Sequence, residues 1–101
     1  MKTTFLSIDF GASRVKWTLN SINDIKLLDC GNFSNPYLKS NEYVEISISE
    51  LIKLTKKLIS SLLLKWNIEK ILISSQMHGF AVMDSSNCFL TEYISWFDQR
   101  F

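Results

Sequence analysis

The feature that most constrains the fold is an amphipathic helix predicted between two β-rich segments. Ser47-Ile48-Ser49-Glu50 has the pattern of a capping box. In this motif the serine hydroxyl accepts a backbone N–H at the helix start, and the glutamate side chain accepts the backbone N–H of the serine. Apolar residues then recur every three or four positions, with lysines on the opposite face. They are Leu51, Ile52, Leu54, Leu58, Ile59, Leu62, Leu63 and Trp66. Such a helix packs its apolar face on a sheet, and we expect Asn67 to end it in a left-handed conformation.

The segments before the helix have the period-two pattern of antiparallel strands. Phe5 to Phe10 alternates and ends at Gly11-Ala12-Ser13, where we expect a turn, and Val15 to Leu19 alternates again. After a polar break, a third strand is predicted over Ile25–Phe33, which completes a three-stranded meander. The polar segment from Asn35-Pro36 to Glu45 is interpreted as a loop.

The segment after the helix is predicted to form a strand, which completes a strand–helix–strand crossover. Ile71-Leu72-Ile73 is a short, continuous apolar run, typical of a buried strand. Farther on, Phe80–Met83 and Phe89–Trp96 are separated by the turn-like Ser85-Ser86-Asn87, which indicates a further hairpin or paired extended segments. The predicted fold class is therefore α/β, with an antiparallel meander followed by a crossover helix and a further strand.

Composition restricts the classes of partner. With 101 residues, 47% of them hydrophobic, and a net charge of +1, the chain has room for one small domain. Its charges are interspersed, so no basic stripe predicts a nucleic-acid surface. No apolar run reaches the roughly 20 residues of a membrane helix, and the N-terminus lacks the apolar region of a signal peptide. Cys30 and Cys88 lie outside any metal-ligand spacing. We expect a cytoplasmic protein without membrane or nucleic-acid partners.

Asp9 is a candidate metal-binding residue because it ends the first strand beside a glycine turn. Phosphate binding needs backbone N–H groups at close range; Gly11 permits a close approach or a positive φ, and Ser13 adds a hydroxyl donor. A carboxylate beside polyphosphate is repelled by about 4 kcal/mol for unit charges roughly 4 Å apart at an effective dielectric near 20, which implies an intervening cation. Magnesium held through water fits this need. The same residues also suit a hairpin turn that binds nothing.

A second group of polar residues suits a polyol site. Gln76, His78 and Asp98 carry donors and acceptors for sugar hydroxyls, and unpaired buried groups would make a wrong hydroxyl pattern costly. Arg100 can pair with a carboxylate, either Asp98 or another, and fix the loop geometry. The alternatives to a sugar site are that His78 has a structural role and that Asp98 and Arg100 form a surface ion pair. No nearby Ser or Cys pattern supports nucleophilic catalysis, and Trp17 and Trp66 are interpreted as core residues.

Three motifs, in order and with fitting spacing, resemble the FGGY family of carbohydrate kinases, which share the fold of actin, Hsp70 and hexokinase. They are Ile8-Asp9-Phe10-Gly11-Ala12-Ser13-Arg14-Val15-Lys16, Ile73-Ser74-Ser75-Gln76-Met77-His78-Gly79 and Trp96-Phe97-Asp98-Gln99-Arg100. The last two are similar to the xylulokinase-like branch. The resemblance implies an RNase H-like fold, ATP and Mg²⁺ as cofactors, and xylulose or a related sugar as substrate.

The resemblance also assigns roles to single residues. Near magnesium and the phosphates it places Asp9, Gly11, Ala12, Ser13 and Lys16. In or beside the sugar pocket it places Gln76, Met77, His78, Asp98 and Arg100. Ala12 stands where the family commonly has threonine, which removes one hydroxyl donor but keeps the backbone N–H.

The resemblance further implies that parts of the enzyme are missing. The family's catalytic aspartate lies in a much later segment, and its adenosine site lies mainly in a second domain. We therefore interpret residues 1–101 as a truncated N-terminal part of the first kinase domain, inactive alone because no base activates the sugar hydroxyl. One alternative is a non-catalytic product of a truncated gene that docks on a partner through the surface exposed by truncation. An actin-like or Hsp70-like switch would share the turn but leave Gln76–Gly79 unexplained.

Overall fold

A computed structural model of the chain describes residues 3–40, 43–76 and 79–95. The described residues form seven strands and one helix. In chain order these are β1 (Thr3–Phe10), β2 (Arg14–Ser21), β3 (Leu27–Ser34), β4 (Tyr37–Ser40), β5 (Tyr43–Ile46), α1 (Ile48–Leu63), β6 (Asn67–Ser75) and β7 (Tyr93–Ile94). The three-stranded meander, the helix and the strand that follows it were all predicted from the sequence and are confirmed.

The main sheet has four strands in the order β3-β2-β1-β6. β1 is antiparallel to β2, with Asp9 opposite Lys16, and parallel to β6, with Asp9 opposite Ser74. Parallel neighbours need a crossover, and α1 supplies it between β5 and β6. β1 therefore lies inside the sheet, and its C-terminal end meets both the β1–β2 turn and the end of β6.

The hydrophobic core lies between α1 and one face of this sheet. Leu6 and Ile8 of β1, Val15 and Leu19 of β2, and Leu62 of α1 are all buried. Side chains alternate along a strand, so these β1 and β2 residues share the face that α1 covers. Half-buried residues surround them: Phe10, Trp17, Leu28, Phe33, Leu51, Leu58, Ile59, Trp66 and Ile68. Both tryptophans thus contact the core, as predicted.

Both ends of α1 depart in detail from the predicted caps. The Ser47 hydroxyl accepts the N–H of Glu50 at 3.3 Å, as the capping box requires, but the N–H of Ser47 donates to the Pro36 carbonyl at 2.9 Å. At the other end, the carbonyl of Leu62 accepts the N–H groups of Lys65 and Trp66. The left-handed cap predicted at Asn67 is wrong, because α1 ends in right-handed backbone at Leu64 and Asn67 already belongs to β6.

The loop predicted up to Glu45 is wrong. Strands β4 and β5 pair antiparallel, and β7 adds to β5, giving a second sheet of order β4-β5-β7. Its strands are short and carry polar residues, so the alternation of apolar and polar residues that is typical of a strand is not visible in the sequence. Of the hairpin or paired extended segments predicted from Phe80 onward, the described residues show pairing through two isolated bridges, Phe80 with Ile94 and Met83 with Phe89.

The prediction that Ile71-Leu72-Ile73 is buried is also wrong, although these residues do form a strand. Ile71 is 42% exposed, Leu72 54% and Ile73 67%. The reason is position: β6 is an edge strand of the main sheet, while the core is centred on β1 and β2. Among the described residues, no helix has the length and apolar character needed to cross a membrane.

Candidate functional site

The connection between β1 and β2, residues 11–14, is a tight turn at the C-terminal end of β1, and we call it the 11–14 turn. The N–H of Gly11 donates to the carbonyls of both Asp9 and Arg14, each at 3.1 Å. A side chain on Gly11 would place its first carbon 2.9 Å from the Arg14 carbonyl oxygen. The φ angle of Gly11 is not positive. Of the two reasons the sequence offered for this glycine, close main-chain approach is therefore the correct one.

Asp9 lies on the sheet face opposite the core, beside this turn. Its side chain is exposed, and Oδ1 accepts a hydrogen bond from the Ser74 hydroxyl at 3.0 Å. A shallow concavity of about 310 Å³ lies here, lined by Asp9, Gly11, Ala12, Ser13, Arg14 and Lys16. The structure thus brings together all five residues predicted to bind the cofactor.

The chemistry of this concavity fits a hydrated cation with a polyphosphate. The described residues contain no group of three or more His, Cys, Asp or Glu side chains that could enclose a metal ion. Mg²⁺ does not need such a cage, because it keeps several waters and binds through one or two carboxylates plus substrate phosphates. Asp9 supplies the carboxylate, and Lys16 supplies a positive charge on the neighbouring strand.

Gln76 lies on the other side of the 11–14 turn. Its N–H donates to the Phe10 carbonyl at 3.1 Å, and its Nε2 donates to the Gly11 carbonyl at 3.3 Å. Its Oε1 is buried and accepts no hydrogen bond within the described part of the chain. A cavity of about 180 Å³ adjoins it, lined in part by Asn35, Gly79 and Tyr93. The side chain predicted to bind sugar therefore also contacts the predicted phosphate turn.

Two residues at this cavity were missed from the sequence. Asn35 was interpreted only as a breaker before proline, yet its Nδ2 donates to the carbonyls of Gly11 and Ala12 at 2.8 and 3.0 Å. The hydroxyl and ring of Tyr93 lie where a side chain on Gly79 would be, so any larger residue at position 79 would have to displace Tyr93. Burial, and secondarily the nearby Tyr37, raises the pKa of Tyr93 above its ordinary value of 10.0. An Asn-Pro pair gave a signal for a turn, but nothing in the sequence indicated what the amide binds.

The remaining predicted site residues lie outside the described residues. They are Met77, His78, Asp98 and Arg100. Their assignment to the sugar pocket stays a prediction. Gln76 and Gly79, which flank the first two, lie at the cavity beside the 11–14 turn.

A family profile matches nearly the whole chain. The sequence profile described as FGGY family of carbohydrate kinases, N-terminal domain, matches residues 4–101. A comparison with curated protein sequences finds no match.

Solved structures of sugar kinases are similar to the chain. Gluconate kinase from Lactobacillus acidophilus is 25% identical over 97% of the chain, with a TM-score of 0.84, and xylulose kinase from the same organism is 25% identical over 95%, with a TM-score of 0.82. Glycerol kinase from Plasmodium falciparum with ADP has the same fold, at 21% identity over 98% of the chain and a TM-score of 0.74. The chain spans only 20 to 21% of these kinases.

The predicted fold class is confirmed by these neighbours, since the mixed sheet and single crossover helix are part of the α/β fold that sugar kinases share with actin and hexokinase. The family profile covers nearly the whole chain, including the 11–14 turn and the segment from Ile73 onward. The chain belongs to the FGGY family of carbohydrate kinases.

Proposed function

We propose that this chain forms the phosphate-binding front portion of an ATP-dependent carbohydrate kinase, which transfers the γ-phosphoryl group to a hydroxyl of xylulose or a related sugar. The observation that carries this proposal is the concavity at the end of β1, where the Asp9 carboxylate and the 11–14 turn lie side by side. Family membership and the similar gluconate and xylulose kinases support the same activity. The chain spans a fifth of those enzymes, so the activity belongs to a larger assembly.

In this proposal four residues of the concavity bind the nucleotide or its magnesium: Asp9, Ala12, Ser13 and Lys16. The N–H groups of Ala12 and Ser13, with the Ser13 hydroxyl, donate to phosphate oxygens, and Lys16 adds positive charge. Asp9 holds Mg²⁺ through water, oriented by the hydrogen bond from Ser74. Through this ion, Asp9 would supply the site with positive charge that neutralises the phosphates. Phosphoryl transfer is catalysed mostly by positioning and electrostatics, so small, fixed donors suit the task.

The sugar is proposed to bind on the Gln76 side of the turn. Gln76, Met77, His78, Asp98 and Arg100 would form or support this pocket, and the buried Oε1 of Gln76 is a suitable acceptor for a hydroxyl. The base that activates the sugar hydroxyl is expected outside these 101 residues, so the chain alone should not turn over. Exposed, unpaired Cys30 and Cys88 fit a reducing, cytoplasmic setting.

A chimeric enzyme tests the proposed function. The segment of Lactobacillus acidophilus xylulose kinase that this chain matches is replaced by residues 1–101, and ADP formation is measured with and without xylulose. We expect xylulose-dependent ADP formation that falls at least about 100-fold in Asp9→Ala, because metal and phosphate positioning are lost. Asp29→Ala, which removes an exposed carboxylate on β3, should retain activity. A folded chimera that binds xylulose but forms no ADP would contradict the proposal.

A second candidate function, docking of this segment as a non-catalytic partner on a separate kinase chain, is favoured by the exposure of β6. This edge strand carries apolar side chains on both faces, Ile71 and Ile73 on the α1 side and Leu72 on the other. Apolar residues on both faces are typical of a strand inside a parallel sheet. We propose that the remainder of a kinase chain covers β6, since the similar kinases are about five times longer than this segment.

Gel filtration tests the docking proposal. The chain is mixed with a xylulose kinase that lacks the matching segment, and co-elution is measured. Leu72→Lys should abolish co-elution, whereas Leu27→Lys, with the same 54% exposure on the opposite edge strand β3, should not. Equal effects of the two substitutions would refute a site at β6.

A further inference from the structure

Asn35 binds the 11–14 turn from the side away from the proposed phosphates. It follows β3 and is 6% exposed. Its Nδ2 donates one hydrogen to the carbonyl of Gly11 at 2.8 Å and the other to that of Ala12 at 3.0 Å, and its backbone N–H donates to the carbonyl of Ser13 at 3.2 Å. One buried residue therefore holds three successive carbonyl oxygens of the turn.

This contact fixes where the N–H groups of the turn point. In a trans peptide the N–H points opposite to the C=O of the same plane, and the described residues contain no cis bond. With the carbonyls of Gly11 and Ala12 directed at Asn35, the N–H groups of Ala12 and Ser13 point away from it, toward the concavity beside Asp9. Within the described chain, neither N–H donates a hydrogen bond to another protein group. Two adjacent backbone donors on one side form an anion-binding arrangement.

We propose that Asn35 is a positioning residue for the phosphates: by binding the carbonyl oxygens of Gly11 and Ala12, it keeps the adjoining N–H groups directed at the diphosphate or triphosphate of the nucleotide. Loss of the amide frees these peptide planes to rotate, which would bring a carbonyl oxygen toward a phosphate. The inference rests on the proposed function, since it assigns a role within the same site.

The two N–H groups should not depend equally on Asn35. The carbonyl of Gly11 also accepts from Gln76 Nε2 at 3.3 Å, whereas the carbonyl of Ala12 accepts from Asn35 alone among the described residues. Two hydrogen bonds therefore hold the peptide plane that contains the Ala12 N–H. Only one holds the peptide plane that contains the Ser13 N–H. Loss of the Asn35 amide should affect the Ser13 N–H more, a signature that a general loss of stability would not produce.

The test is magnesium pyrophosphate binding to the ¹⁵N-labelled chain of 101 residues, followed through the amide NMR signals. The variants are Asn35→Asp, which keeps the shape but replaces both donors by a charged carboxylate oxygen, and the uncharged Asn35→Ser, which has a single hydroxyl donor. Asn32→Ser is the matched control, because Asn32 on β3 accepts from Arg14 Nε and does not contact the turn carbonyls. We expect Ala12 and Ser13 to shift in the unaltered chain. Asn35→Asp should weaken binding at least about tenfold, with the larger loss at Ser13, and Asn35→Ser should be intermediate. Asn32→Ser should stay within about threefold, since it removes only a hydrogen bond to the Arg14 side chain and none to the turn carbonyls.

Each contrary result has a definite meaning. Unchanged affinity in Asn35→Asp, or equal weakening in Asn32→Ser, would overturn the role of Asn35 while leaving the proposed function standing. Loss of the folded spectrum in both Asn35 variants would assign this residue to general stability and overturn the inference as well. If the unaltered chain shows no shift at Ala12 and Ser13, the proposed phosphate site itself fails.

Discussion

Replacing Leu6 by alanine should destabilise the chain far more than the same replacement at Leu72, on the neighbouring strand. Leu6 is 0% exposed at the centre of the core, whereas Leu72 is 54% exposed. Leu6→Ala removes about three buried carbons, worth about 2.4 kcal/mol of transfer free energy at ~0.8 kcal/mol each, and leaves a cavity. We expect a loss of about 3 kcal/mol. Leu72→Ala removes carbons that are already half in water and leaves no enclosed cavity, so its cost should stay below about 1 kcal/mol.

The difference is large relative to the stability of a chain this small. At ~0.05–0.15 kcal/mol per residue, 101 residues give a free energy of unfolding of about 5–15 kcal/mol. The unfolding entropy of about 2.1 cal/mol/K per residue gives roughly 0.2 kcal/mol/K, so Leu6→Ala should lower Tm by about 14 °C. Leu72→Ala should lower it by less than about 5 °C. Urea denaturation and calorimetry measure both quantities.

Protein concentration is the necessary control. If the chain self-associates through β6, Leu72 is buried by the second copy, and the cost of Leu72→Ala rises. Both variants are measured at two concentrations at least tenfold apart, where a chain that does not self-associate keeps a constant Tm. If Leu72→Ala costs as much as Leu6→Ala at low concentration, β6 is not an exposed edge. A cost below about 1 kcal/mol for Leu6→Ala would refute the position of the core.

Four further predictions follow from single contacts. Ser47→Ala should cost about 1 kcal/mol in urea denaturation, because the N–H of Glu50 loses its cap; no change would contradict the cap. Ile25→Asn should stabilise the chain by about 1 kcal/mol, since Ile25 is exposed with a φ of 52°, a left-handed conformation that β-branched residues rarely adopt; destabilisation would contradict this conformation. Gly79→Ala should destabilise by about 1–3 kcal/mol, and a second substitution, Tyr93→Ala, should reduce that loss by removing the hydroxyl and ring carbons that the new side chain would meet; additive effects would exclude the contact. Because the pKa of Tyr93 is raised in the folded chain, its contribution to stability is present below pH 10 and is lost as the pH rises through the folded pKa. Between pH 9 and 11, the free energy of unfolding should therefore fall more steeply with pH in the unaltered chain than in Tyr93→Phe. Identical slopes would show that the pKa of Tyr93 is not raised by folding.

The sequence predicted the elements that have strong local signals. The alternation in β1 and β2, the capping serine and the spacing of apolar residues in α1 each specify a conformation within a few residues. The same holds for the candidate phosphate site, because Asp9, the turn and Lys16 are close in sequence and a hairpin brings them together.

The errors concern contacts between distant residues. Burial of Ile71-Leu72-Ile73 depends on which strands flank β6, and no local pattern specifies this. The hairpin β4–β5 is stabilised partly by pairing with β7, which lies about 50 residues later. Asn35 was missed for the same reason: its partners lie more than 20 residues earlier in the chain, and the amide of an Asn-Pro pair carries no signal of what it binds.

Manganese bound with pyrophosphate tests the central claim most directly, namely that the end of β1 binds a metal–phosphate group. A paramagnetic ion broadens the NMR signals of the amides nearest to it. We predict that Gly11, Ala12, Ser13 and Ser74 broaden first, that Ser21 at the far end of β2 stays sharp, and that Asp9→Asn weakens the effect. Broadening centred elsewhere on the chain, or unchanged broadening in Asp9→Asn, would contradict the claim.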